Sequence, residues 1–138
     1  FRFAGCLLLG VTALSAAEFS HKRHASMKLK CTQSHAGAEN QDRAGFPKAA
    51  VCAVCHTAAG WSAPAIPSQR VYRQRDFVVF SHARHVSAGK VECVTCHGDV
   101  NLSDRVTLQV EHNMKTCMAC HAQRKASNAC NVCHELGQ

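Results

Sequence analysis

Four stretches of this chain carry the pattern C-x-x-C-H: "CAVCH" at 52–56, "CVTCH" at 93–97, "CMACH" at 117–121 and "CNVCH" at 130–134. No other feature of the sequence constrains the fold as strongly. Two thiols one helical turn apart can add to the two vinyl groups of one haem, and the imidazole that follows is then aimed at the iron. The pattern therefore predicts c-type haem attachment. Cys52 and Cys55, Cys93 and Cys96, Cys117 and Cys120, and Cys130 and Cys133 are the attaching side chains, with His56, His97, His121 and His134 as proximal iron ligands. Zinc ribbons also use C-x-x-C pairs, and the separation of the second and third motifs suits a four-cysteine zinc site. Zinc leaves the His after every pair unexplained.

Size points the same way. A chain of 138 residues with 6% aromatics buries a marginal share of its surface and needs disulfides, a metal or a cofactor to hold it. The formal charge of +7 suggests a nucleic-acid-binding surface only until haem is counted. Two propionates against one ferric charge make each haem −1, and reduction makes it −2, so four haems take +7 to +3 and then to −1. No nucleic-acid partner is expected.

Residues 1–17, "FRFAGCLLLGVTALSAA", place Arg2 before an apolar run and end in small residues at Ser15 and Ala17. That is the layout of a secretory signal peptide, with cleavage before Glu18 and a periplasmic or extracellular destination. An uncleaved anchor is the alternative, although the run is short for a bilayer span. Cys6 precedes the apolar run, which is the wrong order for a lipoprotein acceptor.

An internal repeat runs through the chain. Residues 19–35, "FSHKRHASMKLKCTQSH", and 80–97, "FSHARHVSAGKVECVTCH", both open on F-S-H-x-R-H and close on C-x-x-(S/C)-H. Each F-S-H-x-R-H sets two His three residues apart on one side of a helical turn, so His21 with His24, and His82 with His85, can each serve two neighbouring irons. The plainer alternative is a solvated basic helix, since Lys22, Arg23 and Arg84 lie among them. Between the copies, Gly60, Pro64 and Pro67 mark residues 61–79 as an extended connector. Within it Arg70, Arg73 and Arg75 with Tyr72 form either a docking patch, a clamp for propionates, or a solvated basic loop.

From 80 to 134 the chain resembles the class III multihaem cytochromes c, the cytochrome c3/c7 group. In these, F-x-H-x-x-H precedes C-x-x-C-H, a further His precedes the next C-x-x-C-H, and a last C-x-x-C-H closes the module. The resemblance implies axial pairs of His82 with His97, His85 with His121, and His112 with His134. Residues 19–56 resemble a truncated copy in which His24 serves the haem of His56. A weaker likeness, over "IPSQRVYRQRDFVVFSHARHVSAGKVECVTCHG", is to haem subunits of bacterial quinol-oxidising membrane complexes.

These likenesses imply a small multihaem cytochrome, mainly irregular with short α-helices around stacked haems and little or no β-sheet. Its expected divisions are the signal peptide 1–17, an N-terminal haem module 18–60, the connector 61–79 and a three-haem module 80–138. Its expected work is electron transfer through bis-histidine haem c, without catalysis. Redox partner proteins are implied, such as a membrane quinol-oxidising complex or other cytochromes, and a homo-oligomer or filament is open to it. The rivals are a multihaem reductase with one open-coordinate haem, and a structural subunit of a longer haem wire. The departure in the first copy is Ser34, which replaces the second cysteine of "CTQSH". If Cys31 holds a fifth haem by one thioether, His35 is its proximal and His21 its distal ligand. Five bis-histidine haems then use all ten histidines of the chain. Met27, Met114 and Met118 have no comparably regular placement.

Overall fold

The structure is a computed structural model and describes residues 19–65 and 70–135. The expected signal peptide 1–17, with Cys6, and residues 66–69 of the connector lie outside the described residues. The regular elements are short: α1 His21–Ser26, α2 Cys31–Ser34, α3 Ala49–Ala53, α4 Cys93–His97, α5 Met114–Gln123 and α6 Cys130–Cys133. Among the described residues there is no strand, only an isolated antiparallel bridge between Val78 and His134. This is the mainly irregular, short-helix architecture expected of a small multihaem cytochrome.

Helices of four to six residues do not hold alone in water, because nucleation outweighs the few hydrogen bonds gained. Here each short helix contains a pair of His or all or part of a C-x-x-(S/C)-H stretch. The chain enters α2, α3, α4 and α6 from extended backbone at Lys30, Lys48, Glu92 and Ala129, with ψ of 146°, 152°, 141° and 142°. Only α5 is longer, at 10 residues, and Asn113 caps it by accepting from the Thr116 N–H at 3.0 Å.

The repeat seen in the sequence is a repeat in space. Ser20 caps α1 by accepting from the Arg23 N–H at 3.1 Å, and Ser81 accepts from the Arg84 N–H at 3.4 Å. Both serines are buried. Lys28 and Lys90 then occupy the left-handed region, at φ 60° and 51°, and turn the chain towards the attachment helix. The second copy is one residue longer, and the extra residue is taken up in a π-helical turn, Arg84–Ala88, where the Gly89 N–H donates to the Arg84 carbonyl at 2.8 Å.

The two copies interlock. The Lys22 N–H donates to the Ser103 carbonyl at 3.0 Å, and in return the Ala83 N–H donates to the Gln41 carbonyl at 3.0 Å. Each copy's His turn therefore rests on the loop that follows the other copy's attachment helix. The exchange is reciprocal, as across an approximate twofold axis. It shows that the repeat runs on to Asp42-Arg43 and Asp104-Arg105, beyond the portion legible at first sight. Ser20 Oγ to Asp104 at 2.6 Å and Ser87 Oγ to the Glu39 carbonyl at 2.5 Å add to the same seam.

Very little is buried. Among the described residues the only buried apolar side chain is Ala38, and none of the larger side chains is fully covered.

Candidate haem-ligating sites

Histidine rings meet in opposed pairs. His82 and His97 lie with ring centroids 6.3 Å apart and planes 3° from parallel. His85 and His121 are 6.1 Å apart, and His24 and His56 are 6.2 Å apart. His21 and His35 are 6.5 Å apart and 6° from parallel. Two metal–nitrogen bonds of about 2 Å each, plus the reach from nitrogen to ring centre, put opposed imidazole centroids about 6 Å apart. Direct ring stacking would bring them closer. The spacing of all four pairs fits an iron between the rings.

Hydrogen bonding prepares the same rings. His24 Nδ1 and His85 Nδ1 each lie 2.8 Å from the backbone carbonyl of the serine that opens their turn, Ser20 and Ser81. His35 Nδ1 meets the Gly45 carbonyl at 2.8 Å, His82 Nδ1 the Asp42 carbonyl at 2.9 Å, and His121 Nδ1 the Ser127 carbonyl at 2.7 Å. His134 Nδ1 lies 3.2 Å from the Phe77 carbonyl. A carbonyl only accepts, so each of these Nδ1 atoms carries the proton and leaves the Nε2 lone pair for a metal. Phe19 and Phe80 hold the paired rings in matching ways, edge-on to His21 and His82 at 4.9 Å and stacked on His24 and His85 at 4.4 and 4.5 Å.

These serines and phenylalanines were given no role by the sequence reading, although F-S-H at the head of both copies was the signal for them. Trp61, stacked on His56 at 4.5 Å, and Tyr72 had weaker signals. Tyr72 lies edge-on to His97 at 4.6 Å; its hydroxyl donates to the His97 carbonyl at 3.0 Å and accepts from the Gln109 N–H at 2.9 Å. The arginines flanking Tyr72 are placed separately, Arg70 over the Phe46 ring at 5.2 Å and Arg73 beside Asp76 at 3.5 Å.

His112 is placed otherwise. Its Nε2 lies 2.7 Å from the Cys96 carbonyl, its Nδ1 lies 3.3 Å from Gln74 Nε2, and its ring stands 5.7 Å from His97. The ring recorded beside His134 is Phe77, at 5.8 Å.

Burial raises the Cys93 thiol, and the neighbouring Cys31 raises it further. Burial likewise raises Cys96, with Cys120 and Cys117 as its next influences, and raises Cys117, with Cys133 next. Cys31 is thus a neighbour of Cys93, the third motif of Cys96, and Cys133 of Cys117. Among the described residues no three His, Cys, Asp or Glu side chains are grouped to hold a metal ion by themselves. The donors come as opposed imidazoles with thiols alongside, which is a donor set for haem c and not for a tetrahedral ion.

Such a chain is a multihaem c-type cytochrome: covalently bound haem, carried by C-x-x-C-H motifs, is its cofactor, and electron transfer is its business. Comparison with known proteins places it further. Residues 78–135 match the family described as cytochrome c7 and related cytochrome c. Over 157 aligned positions the chain is 32% identical to the menaquinone reductase, multiheme cytochrome c subunit, of Nitratidesulfovibrio vulgaris, covering 85% of this chain and 75% of that protein. The chain belongs to the multihaem cytochromes c of this c7-related family.

Proposed function

We propose that this protein relays electrons outside the cytoplasm through bis-histidine haems, as the haem subunit of a quinone-linked membrane complex. The observation that carries the bis-histidine reading is the recurrence of opposed imidazoles at iron-spanning distance, with His24 facing His56, His82 facing His97 and His85 facing His121. A haem ligated on both faces has no position for a substrate, so it accepts and passes electrons while axial ligands, burial and hydrogen bonds set its potential. Export is supported by the signal-like segment 1–17 and by the covalent attachment itself. No helix among the described residues is long and apolar enough to cross a membrane. The likeness to a menaquinone reductase subunit supports a quinone-linked partner. The proposed organisation is a front haem module at 18–60, the connector 61–79 and a three-haem module at 80–138.

The rival reading, a reductase with one open haem, has one observation on its side: His112 Nε2 is turned to the Cys96 carbonyl. Carbon monoxide decides between them. The reduced mature protein is expected to show only low-spin haem and to leave carbon monoxide unbound. Rapid binding without denaturation would replace the carrier by an enzyme.

A further inference from the structure

We propose that Cys31, His35 and His21 hold a fifth haem through a single thioether, and that this haem is the symmetry mate of the His97 haem and the link between the front haem and those behind it. The proposal rests on the bis-histidine reading above and extends it to a motif that lacks its second cysteine.

Four observations carry it. The first is equivalence: the His21–His35 pair repeats the His82–His97 pair in separation, 6.5 against 6.3 Å, and in near-parallel planes. The second is the tautomer of His35, whose Nδ1 is held 2.8 Å from the Gly45 carbonyl, which leaves the Nε2 lone pair for a metal. The third is His21, whose Nδ1 is buried without a hydrogen-bond partner. Burying an unpaired polar atom is unfavourable, a cost that a metal bond at Nε2 would offset although Nδ1 itself stays unpaired. The fourth is position. Cys31 and Cys93 are corresponding residues of the two copies, and corresponding residues touch only near the axis that relates them. Cys31 lies near enough to Cys93 to raise its thiol. α2, with His35 at its C-cap, presents Cys31 as α6, with His134 at its C-cap, presents Cys130.

The chemistry needs only what is there. The Cys31 S–H adds across one vinyl group: the new S–C bond forms at the carbon next to the ring, the proton goes to the terminal carbon, and the vinyl π bond is consumed. Nothing leaves, and the iron keeps its oxidation state. Ser34 stands where the second thiol would be, so the other vinyl survives.

Connectivity follows from the shared turns. α1 carries His21 and His24, so the haems of His35 and His56 flank one turn. The next turn carries His82 and His85, so the haems of His97 and His121 flank it in the same way. The His35 and His97 haems meet at the axis, where the Asp42 carbonyl from the first copy holds His82. The order is His56, His35, His97, His121, His134. Without the second member, the front haem is cut off.

The test is the denatured mass of the mature protein with its haem spectrum in alkaline pyridine. The wild type is expected to carry five haems, one of them displaced to longer wavelength by its surviving vinyl. Cys31→Ser is expected to lose one haem and that displaced component. Ser34→Cys, which restores the full motif, is expected to keep five haems and lose the displacement. Four haems in the wild type overturns the proposal, whether Cys31 is then open to a thiol reagent or joined to Cys93 as a disulfide. So does a Ser34→Cys protein with the wild-type spectrum. Haem counts are independent of axial ligation, so a high-spin protein with five haems would sink the bis-histidine reading and the ligand roles of His21 and His35, and leave the attachment at Cys31 standing.

Discussion

An imidazole that binds iron must keep one nitrogen bare, and this chain arranges that with backbone carbonyls. Six of its histidines have Nδ1 within 3.2 Å of a carbonyl oxygen. His112 is turned the other way, with its Nε2 at a carbonyl. For it to serve the haem of His134, as the family pattern implies, the ring must leave Cys96 when haem is inserted. His112→Ala is therefore expected to turn one haem, that of His134, from low-spin to high-spin. A low-spin count unchanged by the mutation would show that His112 is not a ligand. His97 gives a pH prediction. Burial, with His112, His82 and His35 close by, lowers it from 6.5 to about 4. Between those values the folded chain binds fewer protons at this site than the unfolded chain does, so its stability is greatest above pH 6.5 and declines as pH falls towards 4. Iron on Nε2 acts in the same direction, since proton and metal compete for one lone pair. The low-spin spectrum is expected to survive acidification through pH 6.5 and to give way only below it. Loss of that spectrum near 6.5 would mean that the ring is not held in this way.

At the scale of elements, each His turn depends on the other copy's loop. The loop at 36–45 is closed by the Gly37 N–H donating to the Ala44 carbonyl at 3.2 Å, and Gly37 is buried. A Cβ added there would meet the Arg43 carbonyl oxygen at 2.5 Å and that of Ala44 at 2.9 Å, both backbone atoms. Gly37→Ala is thus expected to destabilise the protein by about 1–3 kcal/mol. It should also disturb His35 and His82, whose Nδ1 partners, the Gly45 and Asp42 carbonyls, sit on this loop. Thermal unfolding followed at the haem absorption reads both effects, and an unchanged midpoint would count against the interlocked loops. Much of this level was legible beforehand. The C-x-x-C-H motifs announced haem, and the doubled F-S-H-x-R-H announced a repeated unit with short helices. The interlocking was not legible, because it is made by backbone N–H and carbonyl groups that every residue type supplies. The Asp-Arg pairs that close both copies are too short a signal to stand out unaided. The π-helical turn was visible only as a one-residue difference in length, with no indication of where the extra residue would go. The orientation of His112 lies beyond any motif, since it depends on Gln74 and the Cys96 carbonyl meeting one ring.

For the whole molecule, the haems must be the core, and they bring most of the negative charge. Propionate edges and the arginines of the connector then put both signs of charge on one small surface, so electron exchange with a partner should slow as salt screens it. A rate unchanged from low to high ionic strength would point to an apolar contact instead. The stronger consequence concerns folding. Large apolar side chains around the motifs stand open on the polypeptide, among them Val54 at 78%, Leu102 at 71%, Met114 at 64% and Phe77 at 63% exposure. With Ala38 as the only buried apolar residue described, hydrophobic burial by the chain itself is far too small to offset the entropy of ordering it. Under the proposed ligation, the planar macrocycles would supply the missing apolar contact, and axial bonds would join α1 to α2 and α3, and the second His turn to α4 and α5. Folding and haem attachment are then one event. The same chain made in cells that export it without attaching haem is expected to lack the helices, to exchange its backbone amides at rates near those of an unfolded chain, and to be degraded rapidly. Amide exchange followed by mass spectrometry measures this directly. Protection of α1 or α5 amides in the haem-free chain would show that the polypeptide holds its shape without its cofactors.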